Sequence, residues 1–131
     1  MHYIAIIEQE DGRFGVVFPD FPGCVSVGDS IDEVMNGAKE ALSLHVQGMI
    51  DDEDELPAPS SVSQIRLMKD WIFTDDPVFT NIAVVPTFGM LVRANISIDS
   101  GHLSAIDEEA KLRKMTRSSF LAQAARIEIE R

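Results

Sequence analysis

The sequence predicts an α+β protein with two domains, and three observations support this prediction. Residues 1–86 contain three strand-like segments, an amphipathic helix and a further strand-like segment, in the order β-β-β-α-β. Residues 90–131 contain one alternating segment followed by two short helical patterns. Between the two ranges, Pro86 to Gly89 has the composition of a linker.

The charge of the chain is unevenly distributed. The 131 residues carry a formal net charge of −11. Residues 1–89 contain sixteen acidic and four basic residues, a net of −12, whereas residues 90–131 contain six acidic and seven basic residues, a net of +1. An acidic N-terminal domain disfavours nucleic-acid binding there and favours a cationic partner. An ordinary solubilising surface would have the same composition.

The composition also restricts the compartment. Cys24 is the single cysteine, which excludes an internal disulfide and a multi-cysteine metal site. The apolar stretch Tyr3 to Ile7 is too short for a signal peptide, and no run approaches the roughly 18 apolar residues of a membrane helix. We therefore expect a soluble cytoplasmic protein that does not enter a membrane.

Three strands are predicted at the N-terminus. Met1 to Glu8 and Phe14 to Phe18 flank the turn Glu10-Asp11-Gly12, which predicts a hairpin. Pro19 to Gly23 contains two prolines and a glycine, so it is predicted to be irregular. Cys24 to Val27 is apolar at alternate positions and predicts the third strand.

A helix follows, because Ser30-Ile31-Asp32-Glu33 has the form of a capping box. The helix is predicted to end at Gly48. His45 is interpreted as a packed or edge histidine, because no nearby residue supplies further metal ligands. The predicted apolar stripe consists of Ile31, Val34, Ala38, Ala41, Leu42, His45 and Met49.

The rest of the N-terminal domain begins with a loop. Asp51 to Glu55 is a run of five acidic residues, and Leu56 to Ser61 contains prolines, so both are predicted to be irregular. Gln64 to Thr74 is ambiguous, although Trp71-Ile72-Phe73 could pack over the sheet. Phe79 to Val85 predicts the fourth strand.

The C-terminal domain opens with the strand-like segment Val92 to Ile98. Its apolar residues alternate with Arg93, Asn95 and Ser97, so one face can be buried while the polar face points outward. Arginine, asparagine and serine can hydrogen-bond base edges in a major groove that is wide enough for a two-stranded ribbon.

Two short helices are predicted next. Asp99 or Ser100 caps a helix that runs to about Met115, and Thr116 caps the second. The residues predicted on their buried sides are Leu103, Ile106, Ala110, Phe120, Leu121, Ala124 and Ala125. One strand and two helices cannot enclose a core alone, so we expect a homodimer that pairs through this strand.

This strand-helix-helix arrangement is typical of a DNA-binding ribbon-helix-helix unit. The exposed start of the second helix, with Thr116, Arg117 and Ser118, offers backbone N–H groups, hydroxyls and a cation to a DNA phosphate. The alternative is a strand and helical hairpin that dimerises without binding DNA.

The sequence contains no recognisable catalytic motif. It has no glycine-rich phosphate loop, no helix with His-x-x-x-His and no cysteine pairs, and its carboxylates concentrate in a loop. We therefore predict no enzyme, no metal site and no cofactor. A metal-dependent nuclease is the alternative, testable by cleavage that disappears when single carboxylates are changed.

Phe18 to Glu33 closely resembles the signature of HicB antitoxins, in which a Pro-Asp-(apolar)-Pro-Gly loop leads through a short strand to Gly-Asp-(Ser/Thr) and a helix. Asn36 to Leu42 matches the family's helix. Ile106 to Ala110 and Thr116 to Leu121 resemble the ribbon-helix-helix version of the family. One departure is Asp99-Ser100-Gly101, where family members usually have a Pro-Glu type start.

The resemblance implies an antitoxin of a type II toxin–antitoxin system. Its N-terminal domain would have a degraded RNase H-like fold and would neutralise HicA, a small basic mRNA-cleaving toxin. Its C-terminal domain would dimerise and repress the operon, and the sequence leaves open whether dimers pair into a higher oligomer. The alternative is a stand-alone ribbon-helix-helix regulator whose N-terminal domain binds another ligand or protein.

The resemblance also suggests roles for individual residues. By position, Arg93, Asn95 and Ser97 match the base-reading side of the ribbon, while Thr116, Arg117 and Ser118 match the phosphate-binding start of the second helix. No motif fixes the toxin contacts. The candidates are Asp20, Phe21, Asp51, Asp52 and Glu53, the acidic ones on charge alone.

Overall fold

The structure is a computed structural model that describes residues 1–68 and 76–131. The chain divides into two compact units, Met1–Phe88 (the first unit) and Gly89–Arg131 (the second unit). The predicted packing of Trp71, Ile72 and Phe73 lies outside the described residues.

In its described residues, 1–68 and 76–88, the first unit contains a four-stranded sheet and two helices. Its elements are β1 (His2–Glu10), β2 (Arg13–Val17), β3 (Val25–Gly28), α1 (Ile31–Asp51), α2 (Val62–Leu67) and β4 (Val78–Ala83). The predicted order β-β-β-α-β is confirmed, and the short helix α2 is an addition to it. All neighbouring strands are antiparallel, and the strand order is β3-β2-β1-β4.

The alternation of side chains along β1 divides the core between the two faces of the sheet. Tyr3 and Ala5 are fully buried in the main cluster, which includes the buried stripe of α1. Ile4 and Ile6 point to the opposite face and cluster there with Ile65 of α2. The helix α1 therefore covers one face, and α2 covers part of the other.

The start of α1 follows the predicted capping pattern with one shift. Ser30 Oγ accepts a hydrogen bond from Glu33 N at 3.1 Å, as expected for the N-cap. The Glu33 carboxylate instead accepts from Asp29 N at 3.2 Å, one residue earlier than in a standard capping box. The first bond satisfies an N–H of the first helical turn, and the second satisfies an N–H that precedes the helix.

The prediction that Gly48 ends α1 is wrong, because the helix continues to Asp51 with Asp52 as its C-cap. The chain leaves the helix at Glu53, which has a left-handed backbone conformation with a φ of 59°. Asp54 N donates to Met49 O at 2.8 Å. This is a Schellman motif in which a glutamate occupies the position that glycine usually takes.

A close contact between β3 and α1 occurs at Gly37. Ser26 Oγ donates to Val34 O at 3.1 Å, and a Cβ at Gly37 would lie 2.5 Å from that hydroxyl oxygen. Glycine is unfavourable in a helix interior, but here its missing side chain makes room for the hydroxyl.

Gly37→Ala should therefore lower the free energy of unfolding by about 1–3 kcal/mol in the natural sequence, because the new methyl group displaces the Ser26 hydroxyl. In a Ser26→Ala background the same change should raise it by about 0.5–1 kcal/mol, the ordinary gain from alanine in a helix. Urea denaturation of the four proteins measures both effects. A gain in both backgrounds would contradict the packing described.

The second unit contains α3 (Ser100–Leu112) and α4 (Arg117–Glu130). Both predicted caps are present, since Asp99 Oδ1 accepts from Gly101 N at 2.8 Å and Thr116 Oγ1 accepts from Ser119 N at 3.1 Å. The helix α3 ends three residues before the predicted Met115. The chain leaves α3 at Lys114, which has a left-handed φ of 55°. Met115 N donates to Ala110 O at 2.8 Å.

The predicted buried sides of these helices are covered only in part. Ala110 is buried, and Leu103, Ile106, Phe120 and Leu121 are half-buried. Ala124 and Ala125 are exposed in the single chain. Within this chain, the described residues 91–98 pair with no strand, so pairing through Val92 to Ile98 remains a prediction that requires a second copy.

Candidate functional site

A strongly acidic surface of the first unit lies at the C-terminal end of α1. We call residues 51–55 the acidic run. Asp51 is the last residue of α1, Asp52 is its C-cap, and all five side chains are exposed. Asp51 Oδ1 accepts a hydrogen bond from Gln47 Nε2 at 3.0 Å. The carboxylates of the other four residues point into solvent and remain open to a partner.

The electrostatics of this helix end are unfavourable in the free chain. A helix C-terminus carries a partial negative charge, and α1 has no basic residue in its last turn. The left-handed conformation of Glu53 adds a conformational cost of about 1–2 kcal/mol. This arrangement lowers the stability of the isolated chain. It also favours the binding of a cation at this helix end.

Asp20, a candidate contact from charge, makes hydrogen bonds inside the unit. Its Oδ2 accepts from Ser60 N at 2.9 Å, and its Oδ1 accepts from the Ser60 hydroxyl. Nearby, Tyr3 Oη donates to Pro57 O at 2.7 Å. Burial, and then the charge of Asp20, raise the pKa of Tyr3. Asp20 thus anchors the proline-containing loop that follows the acidic run.

Phe21 must be reassigned from the candidate contacts to the core. Its side chain is 2% exposed and packs edge-on against Tyr3, with the ring centres 4.6 Å apart. On its other side lies His45, with the ring centres 5.5 Å apart. A side chain buried to this degree offers no surface to a partner. The same contact confirms the predicted packing of His45.

Cys24 directly follows the irregular segment Pro19 to Gly23 and is buried. Burial raises the pKa of its thiol to about 11. A thiol with so high a pKa is almost entirely protonated near neutral pH and is a poor nucleophile. Among the residues that the structure describes, no group of three or more His, Cys, Asp or Glu side chains is placed to hold a metal ion.

The predicted base-reading residues lie in an exposed segment of the second unit. Arg93, Asn95 and Ser97 are all exposed. The alternating apolar residues are exposed as well, with Val92 at 89% and Ile96 at 64%. In the single chain, neither face of this segment is covered.

The start of α4 contains all three predicted phosphate-binding residues, and one of them pairs with a residue of α3. Thr116 caps the helix, and Ser118 is exposed beside it. Arg117 donates from Nε and Nη2 to the two carboxylate oxygens of Asp107, both at 2.8 Å. The hydrogen bonds from Arg117 hold the pKa of Asp107 below its usual value.

This ion pair changes the interpretation of Arg117, because its guanidinium is engaged by a carboxylate of α3. The sequence contains one signal, an aspartate ten residues before the arginine, but only the packing of α3 against α4 brings the two together. A phosphate that binds Arg117 must therefore compete with Asp107.

Within residues 1–68 and 76–131, no helix combines the length and the hydropathy needed to cross a bilayer.

Residues 3–125 match the family described as "HicB_like antitoxin of bacterial toxin-antitoxin system". A relative from Haemophilus phage HP1, named "Uncharacterized 14.9 kDa protein in rep-hol intergenic region", is 34% identical over 95% of both chains. "Antitoxin HicB 1" of Photorhabdus laumondii is 32% identical over 49% of this chain and 42% of its own.

The solved structures agree with this match. The crystal structure of the antitoxin HicB from Burkholderia pseudomallei is 29% identical, covers 95% of this chain and 96% of its own, and has a TM-score of 0.57. A "HicA3 and HicB3 toxin-antitoxin complex" contains a chain of the same fold, 21% identical, with a TM-score of 0.51 over 66% of this chain and all of its own.

Proposed function

The chain belongs to the HicB-like antitoxin family of bacterial toxin–antitoxin systems, and we propose that it neutralises a small basic HicA-type toxin and represses its own operon as a dimer. We assign toxin binding to residues 1–86 and DNA binding to residues 90–131, both in the cytoplasm. A degraded RNase H-like fold for the first domain is part of this proposal. Members of this family are antitoxins and generally not enzymes, which confirms the expectation of a protein without catalytic activity.

The observation that carries the toxin-binding proposal is the acidic run at the end of α1. Its carboxylates are exposed, and they lie where the helix itself is electronegative and lacks a basic residue. Residues 1–89 have a net charge of −12, so a basic toxin would be attracted over a distance and would associate rapidly at low salt. Complexes of HicA and HicB chains are known among proteins of this fold.

The acidic run gives a prediction about association. Asp52→Asn combined with Asp54→Asn should slow toxin association several-fold at low salt, with the difference shrinking as salt is raised. The same change should raise the stability of the first unit by up to about 1 kcal/mol, because it removes negative charge from a helix C-terminus. Stopped-flow association and urea denaturation measure the two effects.

The matched control is Glu40→Gln combined with Glu108→Gln, which removes the same charge from exposed positions elsewhere. Equal association rates for the two double variants, or a rate that does not depend on salt, would count against an electrostatic role of the acidic run.

The DNA-binding proposal rests on the exposed segment and the start of α4. In a dimer, two copies of Val92 to Ile98 would pair, burying the apolar side chains and directing Arg93, Asn95 and Ser97 into the major groove. The N–H groups at the start of α4, with Thr116 and Ser118, would then receive phosphates.

Asp107 gives a test of the phosphate contact by Arg117. Asp107→Asn should tighten operator binding, because it releases the guanidinium and removes a negative charge. The salt dependence should steepen by about 0.9 in log–log slope for each additional phosphate that the protein neutralises. Fluorescence anisotropy at several salt concentrations checks both. Weaker binding with an unchanged slope would mean that Arg117 holds α4 in place and does not touch DNA.

One experiment separates the antitoxin from a stand-alone regulator. The tagged protein is co-purified with the small protein encoded beside it. Recovery of a basic partner that is toxic alone and silent in the complex would establish the antitoxin function. Recovery of no partner, with operator binding intact, would favour the stand-alone regulator.

A further inference from the structure

The sheet face opposite α1 carries a pocket of about 370 Å³ near the β1–β2 hairpin. Most of the side chains that line it alternate onto this one face. The lining residues are Glu8, Glu10, Asp11, Arg13, Phe14, Gly15 and Val27. The pocket is separate from the acidic run, and neither the toxin candidates nor the DNA candidates include any residue of it.

The strand register explains why a pocket forms here. Gly15 of β2 lies between Glu8 of β1 and Val27 of β3, and it pairs with both. These three residues form a row across the three strands. Because Gly15 has no side chain, there is a gap between the side chains of Glu8 and Val27. A Cβ built at Gly15 would meet no atom closer than Ser26 O, at 3.9 Å, so the space above it is open.

Glu8 borders this gap with an unsatisfied acceptor. Its Oε1 is buried and has no hydrogen-bond partner among the described residues. Burial, and then the charge of Glu10, raise the pKa of the Glu8 carboxyl. Arg13, the basic residue of the lining, pairs through Nε with Asp29 Oδ1 at 3.1 Å. A buried acceptor without a donor is unfavourable until a partner supplies one.

The other side of the gap is apolar. Val27 is 69% exposed and Val25 is 56% exposed, both on the edge strand β3. An apolar surface beside an unpaired carboxylate matches the two parts of a long basic side chain, an aliphatic stem and a charged end.

We propose that the gap above Gly15 receives one arginine or lysine side chain of the toxin, with its charged end on the Glu8 carboxylate and its stem against Val27. This proposal rests on the proposed toxin binding and deepens it by adding a contact on the sheet face to the acidic run. The net charge of −12 over residues 1–89 favours a basic side chain as the occupant.

The first test uses the full-length protein and the co-purified toxin. Glu8→Gln keeps the shape but removes the charge, and Gly15→Val fills the gap with a residue suited to a strand. Each should raise the Kd by about 10-fold or more, the loss of one charge-assisted hydrogen bond. Glu40→Gln, an equal charge change at an exposed position of α1 outside the pocket, should leave the Kd within about twofold of the natural protein.

Circular dichroism and thermal unfolding establish that each variant is folded. Because the Cβ at Gly15 meets open space and its φ is not left-handed, Gly15→Val is expected to fold normally. Natural affinity in both Glu8→Gln and Gly15→Val would overturn the proposal while leaving toxin binding itself intact.

The second test does not need the toxin. The natural protein is titrated with N-acetylargininamide while the Glu8 carboxyl carbon and the Val27 methyl groups are followed by NMR. We expect saturating shifts that N-acetylglutaminamide does not produce and that Gly15→Val abolishes. Equal shifts with both amides, or none, would overturn the proposal. If no toxin co-purifies, the proposed function fails, and this titration still decides the pocket.

Discussion

Phe21→Ala should lower the free energy of unfolding of the first unit by about 3–5 kcal/mol, the usual loss for a large aromatic side chain removed from a core. The ring is 2% exposed and lies between the rings of Tyr3 and His45. Its removal leaves a cavity under the loop from Phe18 to Cys24, which two backbone hydrogen bonds of 3.0 Å close. Urea denaturation followed by circular dichroism measures the loss.

The control is Phe21→Leu, which keeps much of the volume and should cost less than half as much. Toxin affinity is measured on both variants under conditions in which they remain folded. We expect the folded fraction to bind normally. A variant with unchanged stability and lost toxin binding would contradict the assignment of Phe21 to the core.

Asn95→Ala should weaken binding to the natural operator by about 1–3 kcal/mol, the discrimination that one bidentate base contact provides. The Asn95 side chain is exposed on the polar face of the Val92–Ile98 segment. Asparagine can donate to and accept from adenine together, whereas alanine leaves that base edge unpaired. Fluorescence anisotropy with the operator and with a scrambled duplex measures the change.

The comparison of the two duplexes is decisive. Asn95→Ala should weaken operator binding and leave the weaker binding to the scrambled duplex nearly unchanged, because phosphate contacts carry no sequence information. The control is Ser104→Ala, an exposed position on α3. Equal loss on both duplexes would indicate a folding or dimerisation defect instead of a lost base contact. Toxin affinity should be the same in all three proteins.

Local patterns are sufficient to predict most of the first unit. The turn Glu10-Asp11-Gly12 predicts the hairpin of β1 and β2, the alternation in Cys24 to Val27 predicts β3, and the sequence Ser30 to Glu33 predicts the start of α1. The prediction fails at the end of α1 because glycine is the usual left-handed residue, which makes Gly48 the obvious terminator. The chain instead uses Glu53, at a cost that the sequence pattern does not reveal.

The candidate sites depend more on tertiary contacts. Phe21 lies in an irregular loop, where no periodicity indicates which side chains point inward. The pairing of Arg117 with Asp107 depends on how two helices meet. The gap beside Glu8 depends on strand register, because only the pairing of Glu8 with Gly15 places a missing side chain next to an unsatisfied carboxylate.

The exposed segment from Phe88 to Ile98 has a consequence for the lifetime of the protein. In a single chain, Leu91 is fully exposed and Val92 nearly so, and the segment begins where the two units separate. Exposed backbone outside helices and strands is where proteolytic cleavage concentrates. Below the concentration at which copies pair, cleavage here would separate the first unit, the proposed toxin-binding part, from the second unit, the proposed DNA-binding part. The rate of degradation per molecule would then rise as the concentration of the protein fell. A fall in synthesis would therefore also shorten the lifetime of the protein that remains.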